Sequence, residues 1–226
     1  MSNILKKGEC GFGILIESDS GYISAELNQE LITESFQFKE NEPVMITCIL
    51  QKWGVKNKNG RIYSKEVLLP QILEYQKLVD NNQAMGETDH PDSSVISLQN
   101  ISHMITKMWW GTDDNENTLY GKLKLIVSPG FIRSGVVSVI GDKILLYIMN
   151  KIKLGISSRG VGTLKEIRGE NYVQDDFELI SFDLVSSPST PGAFLFPDNG
   201  EKPIVATKKL SESEDKMLNA LDKFLL

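Results

Sequence analysis

Two short segments carry residue types able to move protons and attack a carbonyl: GETDHPDSS around His90 and LGISSRGVG around Ser157. A serine hydroxyl is a poor nucleophile at its own pKa and needs a neighbouring base, which histidine supplies near neutral pH. The chain has two histidines, so the base is a choice between His90 and His103. His90 lies in a polar loop flanked by Asp89 and Asp92, and Pro91 biases it towards extended dihedrals. A solvated loop histidine in an acidic turn is the plainer reading of that site. His103 lies among apolar residues in ISHMITKMWW and reads as a packed strand histidine with one satisfied hydrogen bond.

On a strand through LGISSRGVG, Leu154, Ile156 and Ser158 share one face, and Gly155, Ser157 and Arg159 share the other. The apolar pair marks the core face. Ser157 is therefore expected to point outward, where a substrate can reach it, and Ser158 inward. Gly155 and Gly160 leave room for a peptide backbone, and backbone N–H groups just after the serine can receive an oxyanion. Taken alone, SSRG also fits an ordinary strand-to-turn segment and is a weaker signal than a G-x-S-x-G elbow.

Other chemistries have less support. The two histidines and two cysteines are too scattered for zinc spacing, and no metal or cofactor is expected. GFG and GVG lack the rest of a nucleotide-binding fingerprint. Cys48 is a conceivable nucleophile but sits inside an apolar strand. A net charge of -6 disfavours nucleic acid, and no apolar run is long enough to span a bilayer. The N-terminus lacks an apolar signal region, so the chain reads as soluble and intracellular, with reduced thiols.

The elements that must position Ser157 and a base follow from periodicity. Gly11–Glu17 is predicted as a strand and Ser24–Thr33 as a short helix. PVMITCILQKWGV is predicted as a strand ended by a turn at Asn59-Gly60. Ser64 N-caps a predicted helix to about Val79, with Pro70 implying a kink or a late start. Gln83–Ser97 reads as a surface loop. ISHMITKMWW and LYGKLKLIV, joined by GTDDNENT, read as an antiparallel pair. Phe131–Lys153 can carry a helix, broken at Gly141. LGISSRGVGTL and YVQDDFELISFDLVSS read as two further strands, the second closed by PSTPGAFLFP. Residues 1–42 form an N-terminal segment, 43–197 the principal domain, and 198–226 a polar linker with an amphipathic helix carrying Met217, Leu218, Leu221 and Phe224. The fold class is α+β.

The chain resembles the prohead core proteases of T-even-type tailed bacteriophages. The resemblance rests on N-x-N-G-R-I-Y at Asn57–Tyr63, G-E-x-x-H-P at Gly86–Pro91, M-W-W at Met108–Trp110, Y-G-K at Tyr120–Lys122, G-I-S-S-R-G at Gly155–Gly160, and F-D-L-V…P-S-x-P-x-A at Phe182–Ala193. These motifs occur in the family's order and spacing, and cover roughly Ile46 to Phe196. The resemblance implies a barrel-like, mostly antiparallel sheet with surrounding helices, as in herpesvirus assemblins. It implies a serine endopeptidase that works inside the viral prohead in the host cytoplasm. Such an enzyme digests scaffold, trims capsid proteins, and cuts after glutamate with an aliphatic residue two positions earlier.

Under the resemblance, Ser157 is the nucleophile and His90 its base. No histidine follows Ser157, so a carboxylate takes the third place: Asp183 in FDLV, with Glu178 and Asp176 behind it. Arg159 and Gly160 are expected to offer backbone N–H groups to the oxyanion. Expected partners are the internal scaffold, the major capsid protein and other copies of the protease. Two rivals remain at this stage. One is a non-catalytic scaffold or capsid-associated protein of the same fold. The other is a small-molecule hydrolase, which needs a deep apolar pocket. Self-cleavage is expected at a Leu/Ile-x-Glu triplet, after Glu212 first and Glu34 second; the other triplets present are Leu15-Ile16-Glu17, Ile72-Leu73-Glu74 and Leu164-Lys165-Glu166.

Overall fold

The computed structural model describes residues 4–17 and 43–197, and all structural statements below concern these residues. The predicted helix at Ser24–Thr33, the C-terminal helix and the triplets ending at Glu34 and Glu212 lie outside them. The fold is α+β, with two five-stranded sheets and three α-helices among the described residues.

The first sheet holds β1 (Gly11–Ile16), β3 (Arg61–Ile62), β7 (Gly155–Ile167), β8 (Glu170–Val173) and β9 (Glu178–Val185). Its long strand β7 pairs antiparallel with β1, β8 and β9, and β3 joins β8 in parallel. β1 comes from the segment set apart at residues 1–42, yet all six of its residues pair with β7. The second sheet has the order β10-β2-β6-β5-β4. It is built from β2 (Met45–Lys52), β4 (Met85–Glu87), β5 (Ile101–Trp110), β6 (Thr118–Leu125) and β10 (Leu195–Pro197). The expected β5–β6 hairpin forms around a 3-10 turn at Asp113–Asn115. The two sheets touch edge to edge at single bridges, Thr88 to Leu184 and Gly155 to Phe194, rather than along a continuous ladder. One apolar core lies between them, including Ile46, Cys48, Leu50, Ile105, Leu119, Leu123, Ile156, Phe182 and Leu184.

Helix α1 (Lys65–Asp80) begins where expected: Ser64 accepts the Val67 N–H at 3.3 Å. Pro70 lies within it and does not delay its start. Its buried residues Leu68, Ile72, Tyr75 and Val79 follow the 3–4 spacing of one helix face, and Tyr75 meets the edge of Phe182 with ring centroids 5.2 Å apart.

Three local expectations change. The supposed loop at Gln83–Ser97 contains β4, whose Gly86 and Glu87 are buried. The helical stretch is two helices, α2 (Pro129–Ser134) and α3 (Ile140–Met149), and the break precedes Gly141. Gly135, at φ 71°, ends α2, and the buried Asp142 carboxylate then accepts the Ser128, Ser138 and Val139 N–H groups to start α3. Finally, YVQDDFELISFDLVSS forms β8 and β9, because Asp176 turns back to bond Thr163 through both N–H and hydroxyl.

Candidate active site

Ser157 and Asp183 are direct cross-strand partners on β7 and β9, so their side chains share one face of the sheet. His90 reaches that face from the loop after β4, which is fastened to β9 by the Asp89 N–H on Leu184 O at 2.8 Å. The His90 Nδ1 lies 2.8 Å from Asp183 Oδ2, with both side chains nearly inaccessible to solvent. With Nδ1–H donated to the carboxylate, Nε2 is left as the basic nitrogen. Nε2 is buried and has no hydrogen-bond partner among the described residues.

Asp183 is held tightly. Its Oδ2 also accepts Arg159 Nε at 2.8 Å, and its Oδ1 accepts the Glu87 N–H at 3.1 Å and the Ser181 hydroxyl at 2.9 Å. Burial pushes the carboxyl pKa up, but the hydrogen bond and electrostatic attraction of His90 and the charge and hydrogen bond of Arg159 outweigh it and hold it below the usual range. Arg159 also bonds the buried Glu87 carboxylate, which makes Glu87 a second counter-charge for its guanidinium. Glu178 is exposed on β9 and Asp176 is bound to Thr163, so neither stands in the place of Asp183.

The two serines face opposite ways, as alternation requires. Ser158 shares a side with core residue Ile156 and accepts Gln51 Nε2 at 2.9 Å. Ser157 does not face solvent as expected: it is fully buried, because residues at the end of β1 cover it. Its hydroxyl donates to the backbone carbonyl of Glu17 in a short contact. That carbonyl also accepts the Ser189 N–H at 3.1 Å. Arg159 and Gly160, expected to offer backbone donors, lie inside β7 in register with β1 on one side and β9 on the other. The flank of Gly160 is filled by Phe177: an added Cβ would lie 2.3 Å from its ring.

The glutamate covering Ser157 is itself fully enclosed. Its Oε1 accepts Arg61 Nη1 at 3.0 Å and the Tyr63 hydroxyl. Its Oε2 accepts Asn57 Nδ2 at 2.6 Å, Asn59 Nδ2 at 3.0 Å and Ser189 Oγ at 3.0 Å. These partners belong to the N-x-N-G-R-I-Y and P-S-x-P motifs, to which the sequence assigned no role. The signal available was the presence of polar side chains in short motifs with no apolar periodicity.

His103 is the packed histidine expected. Its Nε2 is 3.0 Å from Phe182 O and its Nδ1 2.9 Å from Ser102 Oγ, and burial lowers its pKa to about 4. Cys48 is fully buried and its thiol pKa is raised by burial, which removes it as a nucleophile.

Residues 25–203 match the prohead core protein serine protease family. The chain is 31% identical over 155 residues to the prohead core protein protease of Enterobacteria phage T4, covering 67% of this chain and 68% of the relative. Its fold is similar to the solved structure of the bacteriophage T4 capsid assembly protease, gp21, with a TM-score of 0.59 and 25% identity over 80% of this chain and 100% of the other. The chain belongs to the prohead core protein serine protease family and is a serine hydrolase of phage capsid maturation.

Proposed function

We propose that this chain is the endopeptidase that digests the internal scaffold of a prohead and trims its capsid proteins, cutting after glutamate. The observation that carries the reading is the buried His90–Asp183 pair, whose Asp183 faces Ser157 across the ladder and whose His90 Nε2 is unpartnered among the described residues, while the Ser157 hydroxyl is bonded to Glu17 O. In the proposed reaction His90 Nε2 takes the Ser157 proton as Oγ attacks the scissile carbonyl, then returns it to the leaving amine. Asp183 keeps the proton of neutral His90 on Nδ1 and stabilises the imidazolium. The Ser189 N–H, 3.1 Å from a carbonyl already seated at Ser157, is the assigned oxyanion donor. The preference for glutamate is supported by the cluster of Asn57, Asn59, Arg61, Tyr63 and Ser189 beside Ser157, which closes on a carboxylate. The proposed partners are the scaffold, the major capsid protein and other copies of the protease, met inside the prohead.

The test is co-expression with the cognate scaffold and mass spectrometry of the fragments. Wild-type protein is expected to yield fragments ending in Glu. Ser157→Ala and His90→Ala are each expected to lose activity by on the order of ten-thousandfold, and the double variant to be no worse, because the two groups act as a unit. Fragments unchanged in Ser157→Ala would refute the assignment.

A further inference from the structure

We propose that the outward face of the second sheet is a docking surface for an acidic, partly apolar segment of a protein partner, separate from the site around Ser157. Two motifs without a role so far, M-W-W and Y-G-K, meet there on neighbouring strands. Strand pairing fixes which side chains share the face. Ile105 of β5 and Leu119, Leu123 and Leu125 of β6 are buried in the core between the sheets. Met104, Lys107 and Trp109 of β5 and Tyr120, Lys122 and Lys124 of β6 therefore point the other way. The register shift between Ile105 and Lys107 is what keeps Lys107 and Trp109 on that side. The face is laid out in rows across the strands. Met45, Lys124, Met104 and Met85 stand side by side in the first row. Thr47, Lys122 and Lys107 form the second, and Ile49, Tyr120 and Trp109 the third. In that last row the Trp109 and Tyr120 rings stack with centroids 5.9 Å apart, and Lys107 Nζ lies 5.7 Å from the Trp109 ring centroid.

The charge of the face is one-sided. The chain has 30 acidic and 24 basic residues, yet β2, β5, β6 and β10 contain no Asp or Glu. The one carboxylate on β4, Glu87, is buried against Arg159. Lysine in a sheet commonly guards an edge strand against unwanted pairing. That does not account for these lysines, because the order β10-β2-β6-β5-β4 places β5 and β6 inside the sheet. A solvated face that serves only solubility mixes both signs of charge. Here the exposed Lys107 and Lys124 are set among half-buried Met45, Met85, Met104 and Ile49. Methionine adapts its shape to an incoming apolar group, which suits it to a binding surface. Cations interleaved with thioethers and rings match a segment in which carboxylates alternate with aliphatic side chains. A nucleic acid fits less well. Its phosphates call for a longer run of cations, gain nothing from the methionines, and are repelled by the net charge of -6.

The experiment titrates full-length protein into a fluorescein-labelled peptide made of three repeats of Asp-Leu-Asp-Asp-Leu and reads anisotropy. The probe contains no Glu, so it offers no Leu-x-Glu bond to cut. A second peptide carries Ser in place of Leu, and an oligothymidylate of equal length is the third probe. The expected result is saturable binding of the Asp-Leu peptide that weakens as salt is raised. The Asp-Ser peptide should bind about tenfold more weakly, since it has nothing to place on the methionines and rings. Lys107→Glu with Lys124→Glu should weaken the Asp-Leu peptide by about tenfold or more, because two attractions become repulsions. Lys107→Gln with Lys124→Gln, a milder pair checked by thermal melting alongside the first, should weaken it by about threefold. Lys143→Glu with Lys165→Glu makes the same change of net charge at exposed positions of α3 and β7 and should stay within about twofold of wild type. An equal loss in that control would reduce the effect to general charge attraction and overturn the site. Equal affinity for the Leu and Ser peptides would overturn the apolar half of the surface. Tighter binding of the oligothymidylate would give the face to nucleic acid instead, and absence of binding by the Asp-Leu peptide would overturn the proposal outright.

Discussion

Asp183 is the carboxylate around which the candidate site is hydrogen-bonded. It faces Ser157 across the ladder, bonds His90 Nδ1 at 2.8 Å and is braced by Arg159 Nε at 2.8 Å. It does not touch the reacting carbonyl in the proposed mechanism, so its role is positioning. Asp183→Asn is expected to lower kcat on a Leu-x-Glu peptide by on the order of a thousandfold or more with little change in KM, because the amide can turn its NH2 to His90 and impose the wrong tautomer. An unchanged kcat, together with a loss in Glu178→Gln, would transfer the role to Glu178. At this scale much was legible in the sequence. Strand alternation separated Ser157 from Ser158, and the family motifs pointed to His90 and Asp183. The Glu17 pocket was not legible, because its parts are 40 to 172 residues from Glu17 in sequence and no local pattern joins them.

At the scale of elements, β4 is the piece that sequence reasoning missed. Its composition is that of a loop, since Gly86 and Glu87 have no apolar alternation and the strand is three residues long. Tertiary contacts make it a strand: Glu87 is buried because Arg159 neutralises it, and Gly86 fits because nothing larger can. A Cβ on Gly86 would lie 2.3 Å from the His103 ring and 2.3 Å from Phe182 O. Gly86→Ala is therefore expected to destabilise the fold by about 1–3 kcal/mol, as overpacking does. It should also reduce activity beyond any loss of folded protein, since the displaced strand carries Glu87 and leads into His90. Chemical denaturation and turnover of the folded fraction measure the two effects, and wild-type values for both would show that β4 has room to move. By contrast α1, β2 and the β5–β6 hairpin were legible because each carries its own periodicity and its own cap or turn.

Across the whole molecule, the two sheets are joined where β9 meets β4 and β5, and the groups that fasten this seam titrate. His103 on β5 is bonded to Phe182 O on β9, and Asp183 on β9 receives the Glu87 N–H of β4 and His90. Burial lowers the folded pKa of His103 to about 4, although Asp183 and the Phe182 carbonyl act against it. An unfolded histidine takes up a proton near its ordinary pKa of about 6.5. Between roughly pH 6.5 and 4 the unfolded chain therefore binds more protons than the folded one, and stability falls as the pH is lowered. A difference of that size corresponds to on the order of 3 kcal/mol. Asp183 adds a second loss of the same sign at lower pH. Its folded carboxyl lies below the ordinary range, so its contribution is complete above that range and disappears as the pH falls through the folded value. Urea midpoints measured from pH 7.5 to 3 are expected to decline in two stages. In His103→Asn the first stage should shrink by the part that His103 carries, since the imidazole buried at position 103 is no longer there to be charged on unfolding, while the second persists. An acid profile in His103→Asn that declines above pH 4 as steeply as the wild type would place the sensitivity elsewhere and leave the seam between β9 and β5 without a role in it.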